Sequence, residues 1–336
     1  MQPITAFIGS SSQARSVTAD ASRTVNLFIE SLDGPGKDGA TAILAQAPGL
    51  KAVGIVGAGP HRGSLVSGSG RLFMVSGNKL YDATDVANPI ILGTLSTSVG
   101  MVEMAENGLQ LLITDNFTPG YLYTYSSGVF TNIPGGLFAA AGSCTFMDEY
   151  FIVHDKGTRK FYLSGLLDGS SWSGLDVGTK ESAADNIVRV KAAHQLLWII
   201  GERTTEVWYN SGANSFPFAR VNNAVMQHGS GSADTVQELD NGLFWGNRDE
   251  QGESIVWRTQ GFQTVRVSTH TVEQAIESYG GFANATSWTY SQDGHTFYVL
   301  NFPQATWCYD CATGEWHERA YTSSGILQRH RGQTHA

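Results

Sequence analysis

A two-strand pattern recurs six times along the chain, and no other feature of the sequence limits the fold so tightly. In each copy a run that is apolar at nearly every position is followed by a short polar connection and then by a strand carrying aromatic residues. The first members are Leu72 to Val75, Leu111 to Ile113, Tyr150 to Val153, Leu196 to Ile200, Leu243 to Trp245 and Thr296 to Leu300. Their partners are Lys79 to Tyr81, Tyr121 to Tyr125, Lys160 to Leu163, Thr205 to Tyr209, Ser254 to Trp257 and Thr306 to Tyr309. Measured between Phe73, Leu112, Phe151, Leu197, Phe244 and Phe297, the period is about 39 to 53 residues, which gives room for roughly four strands per copy. A lone four-stranded sheet cannot bury both of its faces, whereas sheets packed radially cover one another. The expectation is therefore an all-β chain, a β-propeller of six or seven blades.

The strand types and turns agree with that reading. The first run of each copy is apolar at nearly every position, as a strand covered on both faces should be. The second alternates, as in Thr205-Glu206-Val207-Trp208-Tyr209. Ser76-Gly77-Asn78, Asn107-Gly108, Asp240-Asn241-Gly242 and Asp293-Gly294 each separate two strand-like runs and read as hairpins. With 39 glycines, 16 Phe, 12 Tyr and 8 Trp but only 15% charged residues, the composition also favours turns and aromatic strands over helices. Thr271 to Tyr279 is one of few helical candidates, with Val272, Ala275, Ile276 and Tyr279 on one face, and is read as a short helix between blades.

The ends depart from the repeat. Residues 1–50 form an expected N-terminal arm, with strands at Val25 to Glu30 and Ala42 to Ala45 joined by the glycine-rich Asp33 to Gly39, pairing with the propeller or with a neighbouring subunit. Residues 51–336 form the expected propeller. Gln328 to Ala336 look like the start of a further strand, so the last blade is expected to be incomplete and the chain truncated or short.

Charge and motifs narrow the function classes. A net charge of −9 argues against an outer surface that grips nucleic acid, yet is compatible with a channel through which DNA slides without sticking. The start has no basic region followed by an apolar stretch, and no run approaches ~18 apolar residues, so neither export nor membrane insertion is signalled and a soluble cytoplasmic protein is expected. Cys144, Cys308 and Cys311 are too few, and odd in number, for a disulfide framework.

Several motifs invite chemistry and fail on context. Val53-Gly54-Ile55-Val56-Gly57-Ala58-Gly59-Pro60 suggests a dinucleotide loop, but Arg62 stands where a third glycine belongs and strand-like sequence follows. Cys308-Tyr309-Asp310-Cys311 is a lone C-x-x-C, at most two of the four ligands of a structural zinc. Ser291 to Phe297 and, more weakly, Asp168 to Trp172 approach the Asp-box turns of sialidase-type propellers, without the arginine cluster and activated Tyr of such enzymes. His154, His194 and His228 read as strand or loop residues, and Trp172 and Trp288 as packing aromatics that would otherwise suit sugar stacking. Asn284-Ala285-Thr286 matches the glycosylation pattern but lacks an export signal to go with it. No catalytic, cofactor-binding or metal residue is assigned, and no cofactor is expected.

Other stretches carry a resemblance. Phe161 to Trp172, Leu175-Asp176 and Glu181-Ser182-Ala183-Ala184-Asp185-Asn186-Ile187 resemble the packaged-DNA stabilisation proteins, or tail nozzle and tail accessory factors, of short-tailed bacteriophages. So do Gly201 to Tyr209, Gly242-Leu243-Phe244-Trp245, Val267 to Glu273, Gly314 to Arg319, Arg23-Thr24-Val25-Asn26-Leu27 and Ala47-Pro48-Gly49-Leu50. The resemblance covers most of the chain and is strongest from about residue 160. It implies a virion tail protein, assembled in the bacterial host cytoplasm as a self-associated hexameric ring beneath the portal-adaptor complex, with tail spike, fibre or needle proteins as further partners. Double-stranded DNA would pass through the lumen without sequence-specific binding, and catalysis would not be required. Members of that family continue beyond the point where this chain stops. The competing expectations are a glycan-binding propeller and, less favoured, a sialidase-like glycosidase.

Overall fold

The computed structural model describes residues 9–11, 22–31, 42–248 and 252–335, and the glycine-rich 33–39 lies outside them. Six antiparallel sheets follow one another along the chain, giving an all-β protein with a six-bladed β-propeller arrangement. The chain divides into two compact units, one of residues 1–51 with 234–335 and the other of residues 52–233.

Before the blades comes a hairpin of β1 (Leu27–Ser31) and β2 (Ala42–Gln46). Blade one is β3 (His61–Val66), β4 (Leu72–Ser76), β5 (Lys79–Asp82) and β6 (Ile90–Thr94), and blade two is β7 (Glu103–Glu106), β8 (Gln110–Thr114), β9 (Tyr121–Thr124) and β10 (Val129–Asn132). Blade three is β11 (Ala141–Met147), β12 (Tyr150–Asp155), β13 (Lys160–Gly165) and β14 (Asp168–Thr179), and blade four is β15 (Ile187–Ala193), β16 (Leu196–Gly201), β17 (Thr205–Asn210) and β18 (Phe218–Met226). Blade five is β19 (Gln237–Leu239), β20 (Gly242–Arg248), β21 (Ser254–Gln260) and β22 (Gln263–Arg266), followed by helix α1 (His270–Ser278). Blade six has five strands: β23 (Thr286–Gln292), β24 (His295–Asn301), β25 (Thr306–Asp310), β26 (Glu315–Ser323) and β27 (Ile326–Arg329). Of the end expected to begin a further strand, Gln328 to Ala336, only Gln328 and Arg329 lie in one: the strand is β27, centred earlier and hydrogen-bonded to β26 through Ala320↔Arg329 to Ser323↔Ile326, and 330–335 carry no strand.

The six apolar runs are the second strands of the six blades, and their side chains feed two cores at once. In β8, Leu111 and Ile113 pack with Phe73, Val75 and Leu80 of blade one, while Leu112 between them packs with Phe151 and Val153 of blade three. In β12 the pattern repeats one blade on, because Ile152 turns the other way, toward Leu197 and Ile199. A strand whose successive residues point to opposite faces must be apolar at every position when both faces are covered. The unit that contains residues 234–335 is held by the same logic: Phe244 and Val256 of blade five pack with Tyr298, Leu300, Trp307 and Tyr309 of blade six, and Val272 and Ile276 of α1 join them.

The aromatic strands that follow do not alternate between core and solvent, contrary to the sequence expectation. Tyr121 and Tyr123 face one core and Leu122 the other, and Thr205, Glu206 and Val207 of β17 are all fully buried. Third strands are covered on both faces like second strands, and the polar positions that read as solvent-facing instead hold internal hydrogen bonds.

Candidate assembly site

Two buried polar clusters involve residues of the stretches 181–187, 201–209, 23–27 and 314–319. The first fastens the connection between blades three and four. Lys180 Nζ bonds both Asp185 Oδ1 and Thr204 Oγ1. Asp185 Oδ2 accepts the backbone N–H groups of Arg203 at 2.8 Å and Thr204 at 3.0 Å. Lys180 and Asp185 are both buried. Burial works to raise the Asp185 carboxyl, but the hydrogen bonds from Lys180, Arg203 and Thr204 outweigh it and hold it below the usual carboxylate range. Next to it Glu206 accepts Glu181 N–H at 2.8 Å, Ser182 N–H, and Trp208 Nε1 at 3.0 Å. Gly201 has no room for a side chain, since a Cβ there would lie 2.3 Å from Asp185 Oδ2 and 2.7 Å from Lys180 Cε. The loop is thus tied down through its buried charges, Lys180, Asp185 and Glu206, each of which has a partner.

The second cluster joins Ser11 and residues 23–28 to blade six. The first half of β26 pairs with β25 on one side, and its other edge is taken by residues 24–26. Glu318 N–H donates to Thr24 O at 2.9 Å, Asn26 N–H donates to Glu318 O at 2.9 Å, and Val25 forms a parallel bridge with Glu318. Asn26, at φ +57°, holds the residue two positions beyond Glu318 with its amide: Nδ2 donates to Ala320 O at 2.8 Å and Oδ1 accepts Ala320 N–H at 2.9 Å. Ser11 N–H donates to Trp316 O at 2.7 Å. The side chains follow the backbone, with Arg23 donating through Nε and Nη2 to the two oxygens of Glu318. Phe28 of β1 inserts its ring edge-on against His295 and Phe297. These contacts supply an outer strand for the part of β26 that β27 leaves bare.

Under Phe28 lies a densely bonded group. His295 Nδ1 and Asp310 Oδ2 are 2.7 Å apart, and Arg319 Nε donates to His317 Nε2 at 3.1 Å. Because that nitrogen accepts, His317 is neutral, and burial followed by the charge of Arg319 pushes it down to about 3. Asp310 also accepts Ala312 N–H and Thr313 Oγ1, so it is a turn-forming carboxylate held by three partners.

Glu253, His270 and Glu273 bring three potential metal-ligand atoms within 4.8 Å of one another. The guanidinium of Arg266 already sits among them: Nε donates to Glu273 Oε1 at 2.6 Å, and Nη2 reaches Glu273, His270 Nδ1 at 3.0 Å and Glu253 Oε2 at 3.9 Å. Glu273 is further bonded by Ser268 Oγ at 2.6 Å, whose oxygen accepts Val256 N–H. The positive charge here is supplied by the chain itself, and the cluster caps α1 onto blade five. His270 and Glu273 stood in the sequence run 267–273, but the partner Arg266 and the distant Glu253 give no local signal.

The other motifs fall into place as structure. Residues 53–60 form an exposed loop leading into a strand; Ser76 Oγ donates to Gly59 O, and a Cβ on Gly59 would lie 2.3 Å from Gly77 Cα, so the glycine serves close backbone approach. Arg62 donates to the carbonyls of Gly77, Thr97 and Gly100. Cys308 is buried in β25 with its thiol pushed up to about 12, and Cys311 up to about 11, both chiefly by burial. Asp293 and Gly294 are the positive-φ residues of a tight hairpin. Trp172 packs edge-on against Phe138 with Nε1 donating to Gly169 O, and Trp288 stacks on Tyr290. His154 is buried, hydrogen-bonded to Ser143 Oγ, and lowered to about 3 by burial. His194 lies in the β15–β16 turn at φ +54°, and the backbone carbonyl of His228 accepts Thr205 Oγ1.

No helix among the described residues is long and apolar enough to cross a membrane. The family model described as Bacteriophage P22 Gp10, beta-propeller, matches residues 20–333. A search of curated proteins found no match.

Proposed function

The chain belongs to the Bacteriophage P22 Gp10 beta-propeller family of phage structural proteins, and from that membership we propose that it is a ring component of a phage tail that retains packaged DNA and later forms part of the ejection conduit. The observation that carries this reading is a family match running through every blade, from the N-terminal contact on β26 to the strand after it. In this account residues 1–50 act as an arm and 51–336 as the propeller. The ring is a homohexamer seated under the portal-adaptor complex, with spike, fibre or needle proteins beyond it, in the virion tail after assembly in the host cytoplasm. Its task is mechanical, and it is not an enzyme. Subunit contacts close the ring, and the excess of acidic residues lets DNA pass because like charges prevent adhesion.

The direct test is a stop codon in this gene within its phage. Particles that package DNA and then lose it before infection support the proposal. Particles that keep their genomes and infect normally overturn it.

A further inference from the structure

Blades two and three carry a surface whose chemistry the ring account does not use. The turn joining β13 to β14 consists of two residues, Leu166 and Leu167, between the paired Gly165 and Asp168. Leu167 has φ +54°, a conformation for which a turn ordinarily uses glycine or asparagine. Both leucines face solvent, 59% and 40% exposed, and Leu109 in the adjoining turn of blade two is 56% exposed.

The strained residue is held from two sides. Leu167 N–H donates to Glu149 O at 2.7 Å, and Leu167 O accepts Asn107 Nδ2 at 3.0 Å. Asn107 also organises its own turn, accepting Leu109 N–H at 2.9 Å and Gln110 N–H at 2.7 Å. A further bond from Gly169 N–H to Gln110 Oε1, at 2.8 Å, ties the two blades together. Backbone strain persists only where the surroundings over-determine it, and here it fixes an apolar side chain outward. Beside it runs a groove of about 550 Å³ lined by Gly108, Leu109, Gln110, Tyr125, Leu167 and Asp168.

Carboxylates outnumber cations at the border of this patch. Asp148 and Glu149 are exposed at the neighbouring turn, Asp168 lines the groove, and Tyr125 donates its hydroxyl to Glu106. Arg71 lies behind the Tyr125 ring, 5.5 Å from its centre, and is neutralised by Asp82. Anionic lipid would be repelled by such a border, whereas a peptide with apolar anchors between lysines or arginines would be complementary to it.

We propose that the Leu109, Leu166 and Leu167 surface is a docking site for a protein segment that presents apolar side chains flanked by basic residues. The partner places an apolar anchor in the groove, and its cations pair with Asp148, Glu149 and Asp168. Occupation would bury the leucines that the turn now holds in water.

The test uses the full chain, a labelled peptide of alternating leucine and lysine, its leucine-glutamate counterpart, and phosphatidylglycerol vesicles. The proposal expects the leucine-lysine peptide to bind at least ten times more tightly than the leucine-glutamate one. It also expects binding to fall at least tenfold in the double variant Leu166→Asn/Leu167→Gly. That variant installs ordinary turn residues, so its Tm should be equal or higher, which separates loss of docking from loss of fold. Equal binding by the variant, equal binding of the two peptides, no peptide binding, or binding only to the vesicles would each overturn the proposal.

Discussion

Arg23 and Glu318 meet through a two-armed ion pair, Nε and Nη2 each 2.8 Å from a carboxylate oxygen, across 295 positions of sequence. The pair flanks backbone bonds that add residues 24–26 to the free edge of β26, so this segment extends blade six. Arg23 is 45% exposed, which limits the ion pair itself to about 1 kcal/mol. Arg23→Ala should lower stability by about that amount in urea unfolding. Removing residues 1–26 should have a larger, local effect, with hydrogen exchange at the Glu318 and Ala320 amides accelerating while the amides of blade three stay protected.

The Lys180, Asp185 and Thr204 cluster should behave as a buried pair. Lys180→Ala leaves Asp185 without its cation and is expected to cost about 3–5 kcal/mol in equilibrium unfolding. Because the folded Asp185 carboxyl lies below its unfolded value of about 3.9, its contribution is present above that pH and is lost as pH falls through the lower, folded value. Acid titration of the Lys180→Ala variant should therefore show a weaker loss of stability below about pH 4 than the unaltered chain.

Histidine gives a second pH window with its own sign. His154 and His317 are held neutral down to about 3, whereas unfolded histidine takes a proton near pH 6.5. Between those values the unfolded state binds protons that the native state excludes, so stability falls on acidification, by up to about 1.4 kcal/mol per pH unit for each such histidine. His154→Gln should be less stable at pH 7 through lost packing, yet its urea midpoint should change less between pH 7 and pH 5.

The three thiols should be inert in the native state. Burial raises all of them, and the Cys308–Cys311 spacing lies on a strand and its turn, with Asp310 engaged by His295. A thiol reagent at pH 8 should label the chain only on unfolding, and a zinc chelator should leave Tm unchanged. Rapid native labelling of Cys311 or a drop in Tm with chelator would count against this reading.

The two central strands of each blade were legible because coverage on both faces forces apolar residues at every position, as Leu111, Leu112 and Ile113 illustrate by feeding two cores. Outer strands were not, since β6 exposes Ile90 and Ile91 and β10 exposes Val129, leaving no periodic signature. Thr205 and Glu206 misled for a different reason: a buried polar residue reads as exposed unless its partners, here His228 O and the 181–182 amides, are known. The contact of residues 24–26 with β26 is made largely by backbone groups, which any sequence carries. The Asn26 amide and the Arg23 and Glu318 charges were visible only as part of a resemblance.

The most direct test of the central claim is the mass of the full chain in solution, alone and mixed with the portal-adaptor assembly of its phage, by light scattering with electron micrographs of the same samples. A closed ring, or a complex of fixed stoichiometry with that assembly, is the predicted result. A monomer that ignores the assembly at every concentration tried would contradict it.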